Sequence, residues 1–216
     1  ELFLFLLRYI AAIFRVLVGR LTDAENCGML LALFPERSAC FSGERIMKKL
    51  IAYYSRAGEN YFSGAHRTIA VGNTEKAARL LAELTGAELF HIEQKVPYSD
   101  NYDACVAEAR RDLRANARPE LTALPERLDD YEEIYLGYPN YCGTMPMAVY
   151  TFLEHYDFTG KTIHPFCTHE GSGLSDTEND IRKAAHGAAV TKGLAIHGSH
   201  VDEAKSALAQ WAEEVA

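Results

Sequence analysis

Apolar segments typical of buried strands alternate with helical segments over most of this 216-residue chain. Five runs rich in branched and aromatic residues predict strands, at 48–55, 87–93, 131–139, 161–169 and 192–198. Apolar residues at helical spacing predict helices over 73–84, 98–115, 146–155 and 201–215. Strands joined through helices run mostly parallel, with right-handed crossovers. We therefore expect an α/β fold: a three-layer α/β/α sandwich around a five-stranded parallel sheet.

Residues 1–46 differ in character from this alternating part. The segment begins "ELFLFLLRYIAAIFRVLVGR", and Arg8 and Arg15 interrupt its apolar run. That pattern fits neither a membrane-spanning helix nor a secretory signal, although an interfacial helix stays an alternative. The chain starts with Glu1, whereas Met47 opens "MKKLIAYYS" like a natural start. We expect residues 1–46 to be an extension outside the native domain, which then spans residues 47–216. We expect contact with a membrane only if residues 1–46 are present in the native protein.

The charge and the cysteines exclude several classes of protein. The formal net charge is −8, which argues against binding to nucleic acid and suits steering toward basic partners. Five cysteines, with no CxxC spacing, indicate neither a disulfide framework nor a zinc site. His197 and His200 lack a third ligand at a credible spacing, so no metal site is predicted. We expect a protein of a reducing compartment, the cytoplasm.

Ligands of parallel α/β sheets bind beyond the carboxyl ends of the strands, and three unusual loops lie there. The loop after the first strand, "SRAGENYFSGAHRTIAVGNT", ends at a helix start. Ser55, Arg56, Asn73 and Thr74 supply hydroxyl, guanidinium and amide groups, and a helix N-terminus attracts phosphate. No GxGxxG or GxxxxGK[ST] motif is present. The alternative is that Asn73 or Thr74 only caps the helix.

The loops after the third and fourth strands suggest contacts to a flat ring. "GYPNYCGTMP" (137–146) is rigid and carries two tyrosines, one of which could cover a ring face; the alternative is a turn with packed tyrosines. "CTHEGSGLSDT" (167–177) has two glycines that permit close approach of backbone to a ligand; the alternative is a flexible surface loop whose Asp176 or Thr177 caps the next helix. A phosphate, a ring face and a ring edge together match FMN.

At these three loops the sequence resembles the flavodoxin family. The likeness rests on "YYSRAG…GNTEKAA", "LGYPNYCGTMPMAVYTFLEHYDFTGK" and "PFCTHEGSG" in combination, and it covers the chain from about Met47 onward. It implies the flavodoxin fold, strand order 2-1-3-4-5, and non-covalent FMN. The resemblance further implies that the FMN phosphate contacts Ser55, Arg56, Asn73 and Thr74. One side of the isoalloxazine ring would contact Pro139, Asn140, Tyr141, Cys142 and Gly143. The other edge of the ring would contact Thr168, Glu170, Gly171, Ser172 and Gly173.

The sequence departs from the family pattern at several positions. Residues 57–72 form an insert, in which Tyr61, Phe62 and His66 either cover the flavin, contact a partner or decorate the surface. Relatives often have two tryptophans at the positions of Tyr141 and Cys142. A negative Glu170 would lower the flavin potential if it pointed inward, whereas a solvent-facing orientation is the commoner one.

Three classes of function stay open from the sequence. The first is a low-potential electron carrier, with no catalytic residue of its own, between a reductase and an acceptor protein. The second is an enzyme, an NAD(P)H-dependent quinone or flavin oxidoreductase on the same fold. The third is a redox-silent scaffold or sensor. Two groups of residues are interpreted without any part in function. Cys142 and Cys167 are interpreted as buried, inert thiols, and the arginine-rich helix at 103–118 as a face exposed to solvent.

Overall fold

The structure of the protein is a computed structural model that describes residues 48–215. The expectation for residues 1–46 lies outside this range. The strands are β1 (Lys48–Tyr53), β2 (Gly58–Phe62), β3 (Ala65–Ile69), β4 (Glu88–His91), β5 (Tyr131–Pro139), β6 (Thr162–His169), β7 (Ala189–Val190) and β8 (Leu194–His197). The helices are α1 (Asn73–Thr85), α2 (Tyr102–Arg114), α3 (Met147–His155), α4 (Thr177–Ala184) and α5 (Lys205–Val215), with a 3-10 helix (Gly198–Glu203) before α5.

The main sheet is parallel and has the order β4-β1-β5-β6, with β7 and β8 both pairing with the outer side of β6. The predicted order 2-1-3-4-5 is therefore confirmed, except that two short strands share the fifth position. Tyr53 of β1 pairs with Gly137 of β5, which pairs with Phe166 of β6. This register places the loops that follow β1, β5 and β6 side by side.

Side chains alternate along the strands into two cores, one on each face of the sheet. Leu50 and Ala52 of β1 pack with α3 residues such as Phe152, whereas Ile51 packs with α1 and α5. Both faces of β1 are covered, which explains why its sequence is apolar without alternation. The predicted α5 stripe is buried at Leu208 and Trp211, whereas Leu84, the last residue of the predicted α1 stripe, is 38% exposed.

Helix α2 begins at Tyr102, four residues later than the hydrophobic pattern predicts. The side chain of Asn101 caps it by accepting a hydrogen bond from the N–H of Ala104 at 3.1 Å. The carbonyl groups of Ser99 and Asp100 accept hydrogen bonds from the Arg56 guanidinium, and that of Asp100 also accepts one from the Glu59 N–H, so both point toward the hairpin segment. A tertiary contact therefore sets the start of this helix.

The insert at 57–72 contains an antiparallel hairpin of β2 and β3, for which the sequence predicts no strands. Ser63 and Gly64 connect the strands with φ values of 45° and 98°. Two successive positive φ values are typical of a type I′ turn, the commonest tight hairpin connection. The hairpin follows directly after β1 in the chain, so it lies beside the carboxyl ends of the strands of the main sheet.

Candidate functional site

A cavity of about 260 Å³ lies at the carboxyl ends of β1, β5 and β6, where the three loops meet. We call it the cleft. Of the residues that the sequence predicts as contacts, those lining the cleft are Ser55, Arg56, Asn73, Thr74, Pro139, Asn140, Tyr141, Cys142, Gly143, Thr168, Glu170 and Ser172. Gly171 and Gly173 do not line it. The topology thus brings together residues as far apart in the chain as Ser55 and Ser172.

The corner between β1 and α1 is shaped by the absence of a side chain at Gly72. A Cβ atom there would lie 2.2 Å from Ser55 Oγ and 2.6 Å from the Arg56 carbonyl oxygen, so only glycine fits. Helix α1 follows Gly72 without a side-chain cap, and Ser55 Oγ accepts the hydrogen bond of the Glu75 N–H at 3.0 Å. The alternative that Asn73 or Thr74 caps α1 is therefore wrong. The N–H groups of both residues have no acceptor within residues 48–215.

A pair of buried hydroxyl groups joins this corner to the end of β6. Thr74 Oγ1 and Thr168 Oγ1 lie 2.7 Å apart, and their residues are only 2% and 4% exposed. One hydroxyl must donate and the other accept, so the accepting hydroxyl keeps its own proton. No acceptor for this proton is found in the described part of the chain, and both residues line the cleft. The pair therefore offers one unused donor to a ligand.

Two buried acceptor atoms, Asn73 Oδ1 and Glu170 Oε1, have no hydrogen-bond partner in the described part of the chain. Both side chains lie against Gly198, where an added Cβ would be 2.6 Å from Asn73 Nδ2 and 2.8 Å from Glu170 Oε1. Buried acceptors of this kind normally have a partner, and a ligand in the cleft can provide it.

The Glu170 side chain points inward and is only 16% exposed. Its Oε2 accepts the Ser63 N–H from the tip of the hairpin at 3.1 Å and lies 3.7 Å from His197 Nδ1. The neighbouring His169 is partly buried, and burial lowers the pKa of its imidazole, with a smaller contribution from His197. The commoner, solvent-facing orientation of Glu170 is therefore wrong for this chain.

The guanidinium of Arg56 has partners other than the predicted phosphate. It donates to the carbonyl groups of Glu59 at 2.6 Å, Ser99 at 2.7 Å and Asp100 at 2.6 Å. These contacts hold the base of the hairpin against the loop that precedes α2. Arg56 lines the cleft, but most of its guanidinium N–H groups are bound to carbonyl groups of the protein, and its contact to a phosphate stays a prediction.

The loop after β5 closes in a tight turn at Cys142 and Gly143, with φ values of 57° and 88°. Tyr141 and Thr144 exchange backbone hydrogen bonds across the turn at 2.7 and 3.1 Å. Tyr141 packs edge-on against Tyr54, and burial raises the pKa of its phenol. Cys142 is exposed, so the interpretation of both Cys142 and Cys167 as buried thiols is wrong for Cys142 and correct for Cys167.

The sequence model of the flavodoxin family matches residues 48–215. The chain belongs to the flavodoxin family.

Solved structures agree with this assignment. A protein of Bacteroides uniformis that is assigned as a flavoprotein is 26% identical, with a TM-score of 0.62 over 77% of this chain and 97% of its own. A similarly assigned protein of Bacteroides eggerthii is 23% identical, with a TM-score of 0.53 over 75% of this chain and 98% of its own. A flavoprotein of Lactobacillus acidophilus, solved in complex with FMN, is 22% identical, with a TM-score of 0.52 over 73% and 97%. The last two show the fold alone. Comparison with curated proteins finds no match.

The cleft has a second wall that was not predicted from the sequence. Helix α2 contributes Tyr102, Cys105, Val106, Ala109 and Arg110, so this part of it is not merely a solvated face. The positions 102, 105, 106 and 109 share one helical stripe, and this periodicity is the signal that could have found the wall. The hairpin adds Asn60 and Tyr61.

Two other properties of residues 48–215 concern metal sites and membrane-spanning helices. No cluster of histidine, cysteine, aspartate or glutamate in this part of the flavodoxin has the geometry to hold a metal ion. Over the same residues, no helix has both the length and the apolar character needed to cross a membrane.

Proposed function

We propose that this flavodoxin binds FMN in the cleft and acts in the cytoplasm as a low-potential electron carrier between a reductase and an acceptor protein. FMN accepts and releases one or two electrons when it is bound. The observation that carries the proposal is the set of unsatisfied polar groups at the α1 corner of the cleft.

The donors and acceptors of this corner fit the two polar parts of FMN. The N–H groups of Asn73 and Thr74, together with the spare hydroxyl proton of the Thr74–Thr168 pair, would hold the phosphate. The unpartnered Asn73 Oδ1 and Glu170 Oε1 need O–H donors, which the ribityl chain supplies. Because Glu170 and a phosphate are both anionic, we assign Glu170 to the ribityl side and not to the phosphate.

The rim of the cleft supports transfer of electrons to a protein partner. Cys142 and Gly143 occupy an exposed turn, so a ring held against this turn would lie near the surface. The net charge of −8 favours encounter with a basic partner. The three cysteines of the described part are free thiols, in keeping with a reducing compartment.

One observation favours the alternative, an NAD(P)H-dependent quinone or flavin oxidoreductase. The hairpin and α2 line the cleft together with the three loops, so the cleft has a second wall against which a nicotinamide or quinone ring could lie. Electron transfer between proteins does not require such a wall.

The two functions differ in their response to NAD(P)H. We would load the full chain with FMN, remove oxygen, add excess NADPH or NADH, and follow the visible flavin absorbance. A carrier is expected to stay oxidised for minutes and to be reduced only after dithionite or a reductase is added. Rapid bleaching by NADPH or NADH alone would contradict the carrier and support the oxidoreductase.

A further inference from the structure

The second wall of the cleft consists of residues that are not among the proposed FMN contacts. We call it the hairpin lobe and define it by Tyr61 of the hairpin and Tyr102, Val106, Ala109 and Arg110 of α2. Its surface is aromatic and apolar, except for the guanidinium of Arg110. A wall of this composition is typical of a site for a small, flat ligand.

The aromatic part of the hairpin lobe is held in place by several contacts. The rings of Tyr61 and Tyr102 stack with centroids 6.0 Å apart, and His66 lies against Tyr102 at 4.9 Å. The Glu59 carboxylate accepts hydrogen bonds from the Tyr102 N–H at 2.8 Å and from Asn101 Nδ2 at 3.0 Å. The hairpin and the start of α2 are therefore tied together, and the surface that they present is preformed.

The cation of the hairpin lobe is available to a ligand. Arg110 is exposed and has no hydrogen bond or ion pair within residues 48–215. The other arginine of the cleft, Arg56, is committed to three carbonyl groups. The nearby acids of α2 point elsewhere: Glu108 accepts the Ser99 N–H and Asp112 the Tyr98 hydroxyl. A free guanidinium at the edge of an aromatic wall suits a carboxylate or sulfonate on a flat ring.

We propose that the hairpin lobe is a subsite for aromatic anions, with the ring against Tyr61 and Tyr102 and the anionic group on Arg110. A quinone that carries a sulfonate or carboxylate belongs to this class. The proposal rests on the proposed function, because the hairpin lobe adjoins the part of the cleft assigned to FMN. It concerns binding only and requires no particular electron-transfer step.

The test compares two matched ligands on three proteins. Calorimetric titrations of the FMN-loaded full chain would use anthraquinone-2-sulfonate and its neutral analogue 2-(hydroxymethyl)anthraquinone. The proteins are the native chain, Arg110→Gln and the control Arg114→Gln. Arg114 lies one turn further along α2 and is also exposed and unpaired within the described residues, but it does not line the cleft.

Arg110→Gln is expected to raise the dissociation constant of the sulfonate about five- to tenfold and to change that of the alcohol less than about twofold. Arg114→Gln is expected to leave both unchanged. Equal losses in the two variants would show a general charge effect, and an undetectable affinity of the native protein for the sulfonate would show that no subsite exists; either result overturns the proposal. The dissociation constant of FMN is measured first for each protein. A native chain that does not bind FMN refutes the proposed function, whereas weaker FMN binding by Arg110→Gln alone would assign Arg110 to the cofactor and overturn the subsite.

Discussion

The hydroxyl pair of Thr74 and Thr168 predicts different outcomes for stability and for FMN binding. Thr168→Val keeps the shape of the side chain but leaves Thr74 Oγ1 without its partner at 2.7 Å, in a residue that is 2% exposed. A buried hydroxyl that loses its partner costs about 1–3 kcal/mol of unfolding free energy, and Thr74→Val should cost a similar amount. Replacing both groups leaves no unsatisfied atom, so the double variant should be nearly as stable as the native chain, which corresponds to a coupling energy of at least about 2 kcal/mol.

FMN affinity should not recover in the double variant, because the spare proton of the pair is then gone. We expect its dissociation constant for FMN to rise about tenfold, the effect of losing one hydrogen bond to a charged group. Urea unfolding of the apoprotein can be followed by the fluorescence of Trp211, the single tryptophan of the chain, which is 6% exposed. Additive losses of stability would show that the hydroxyls do not interact. Native FMN affinity in the double variant would show that they do not meet the cofactor.

Three further predictions concern the loop corner, the hairpin and pH. Gly72→Ala should cost about 1–3 kcal/mol in urea unfolding, because its Cβ would lie 2.2 Å from Ser55 Oγ and 2.6 Å from the Arg56 carbonyl oxygen. Gly193→Ala should cost less, because its Cβ would lie 3.0 Å from the Leu174 side chain and 3.1 Å from the Pro165 carbonyl oxygen; equal costs would contradict the clash at Gly72. Arg56→Met frees three carbonyl groups, so hydrogen exchange of the amides at 58–69 should become faster, and unchanged protection would contradict its role in holding the hairpin. Burial raises the pKa of the Cys167 thiol from 9.0 to about 12, so the unfolded chain releases this proton first and stability falls as the pH rises between these values. Cys167→Ala should lose stability less steeply there, by about 1.4 kcal/mol per pH unit, and parallel slopes would contradict the shift.

The sheet and its strand order could be predicted from the sequence because the signals are local. Strands β1, β5 and β6 are apolar runs, and β5 runs from Tyr131 to Pro139 as predicted, whereas the two-residue strand β7 has no such signal. Parallel topology then requires the loops after β1, β5 and β6 to meet, whatever their exact conformation. For this reason twelve of the predicted contact residues line one cleft, although their binding of FMN stays a prediction.

Side-chain partners could not be predicted, because contacts between distant segments decide them. Arg56 is bound by carbonyl groups 43 and 44 residues later in the chain, and Glu170 by the tip of a hairpin 107 residues earlier. The hairpin itself had a local signal, since Ser63-Gly64 between aromatic and polar residues is typical of a tight turn. The part of α2 that lines the cleft also had a local signal, the helical spacing of positions 102, 105, 106 and 109, but the charged residues of the helix obscured it.

FMN binding at the α1 corner of the cleft can be measured by titrating FMN with the apoprotein and following flavin fluorescence, for the native chain and for Asn73→Ala. We expect saturable one-to-one binding by the native chain, and binding weaker by about tenfold for Asn73→Ala, which lacks the buried, unpartnered acceptor Asn73 Oδ1. An absence of binding by the natively folded chain, or equal affinities of the two proteins, would contradict binding of FMN at this corner.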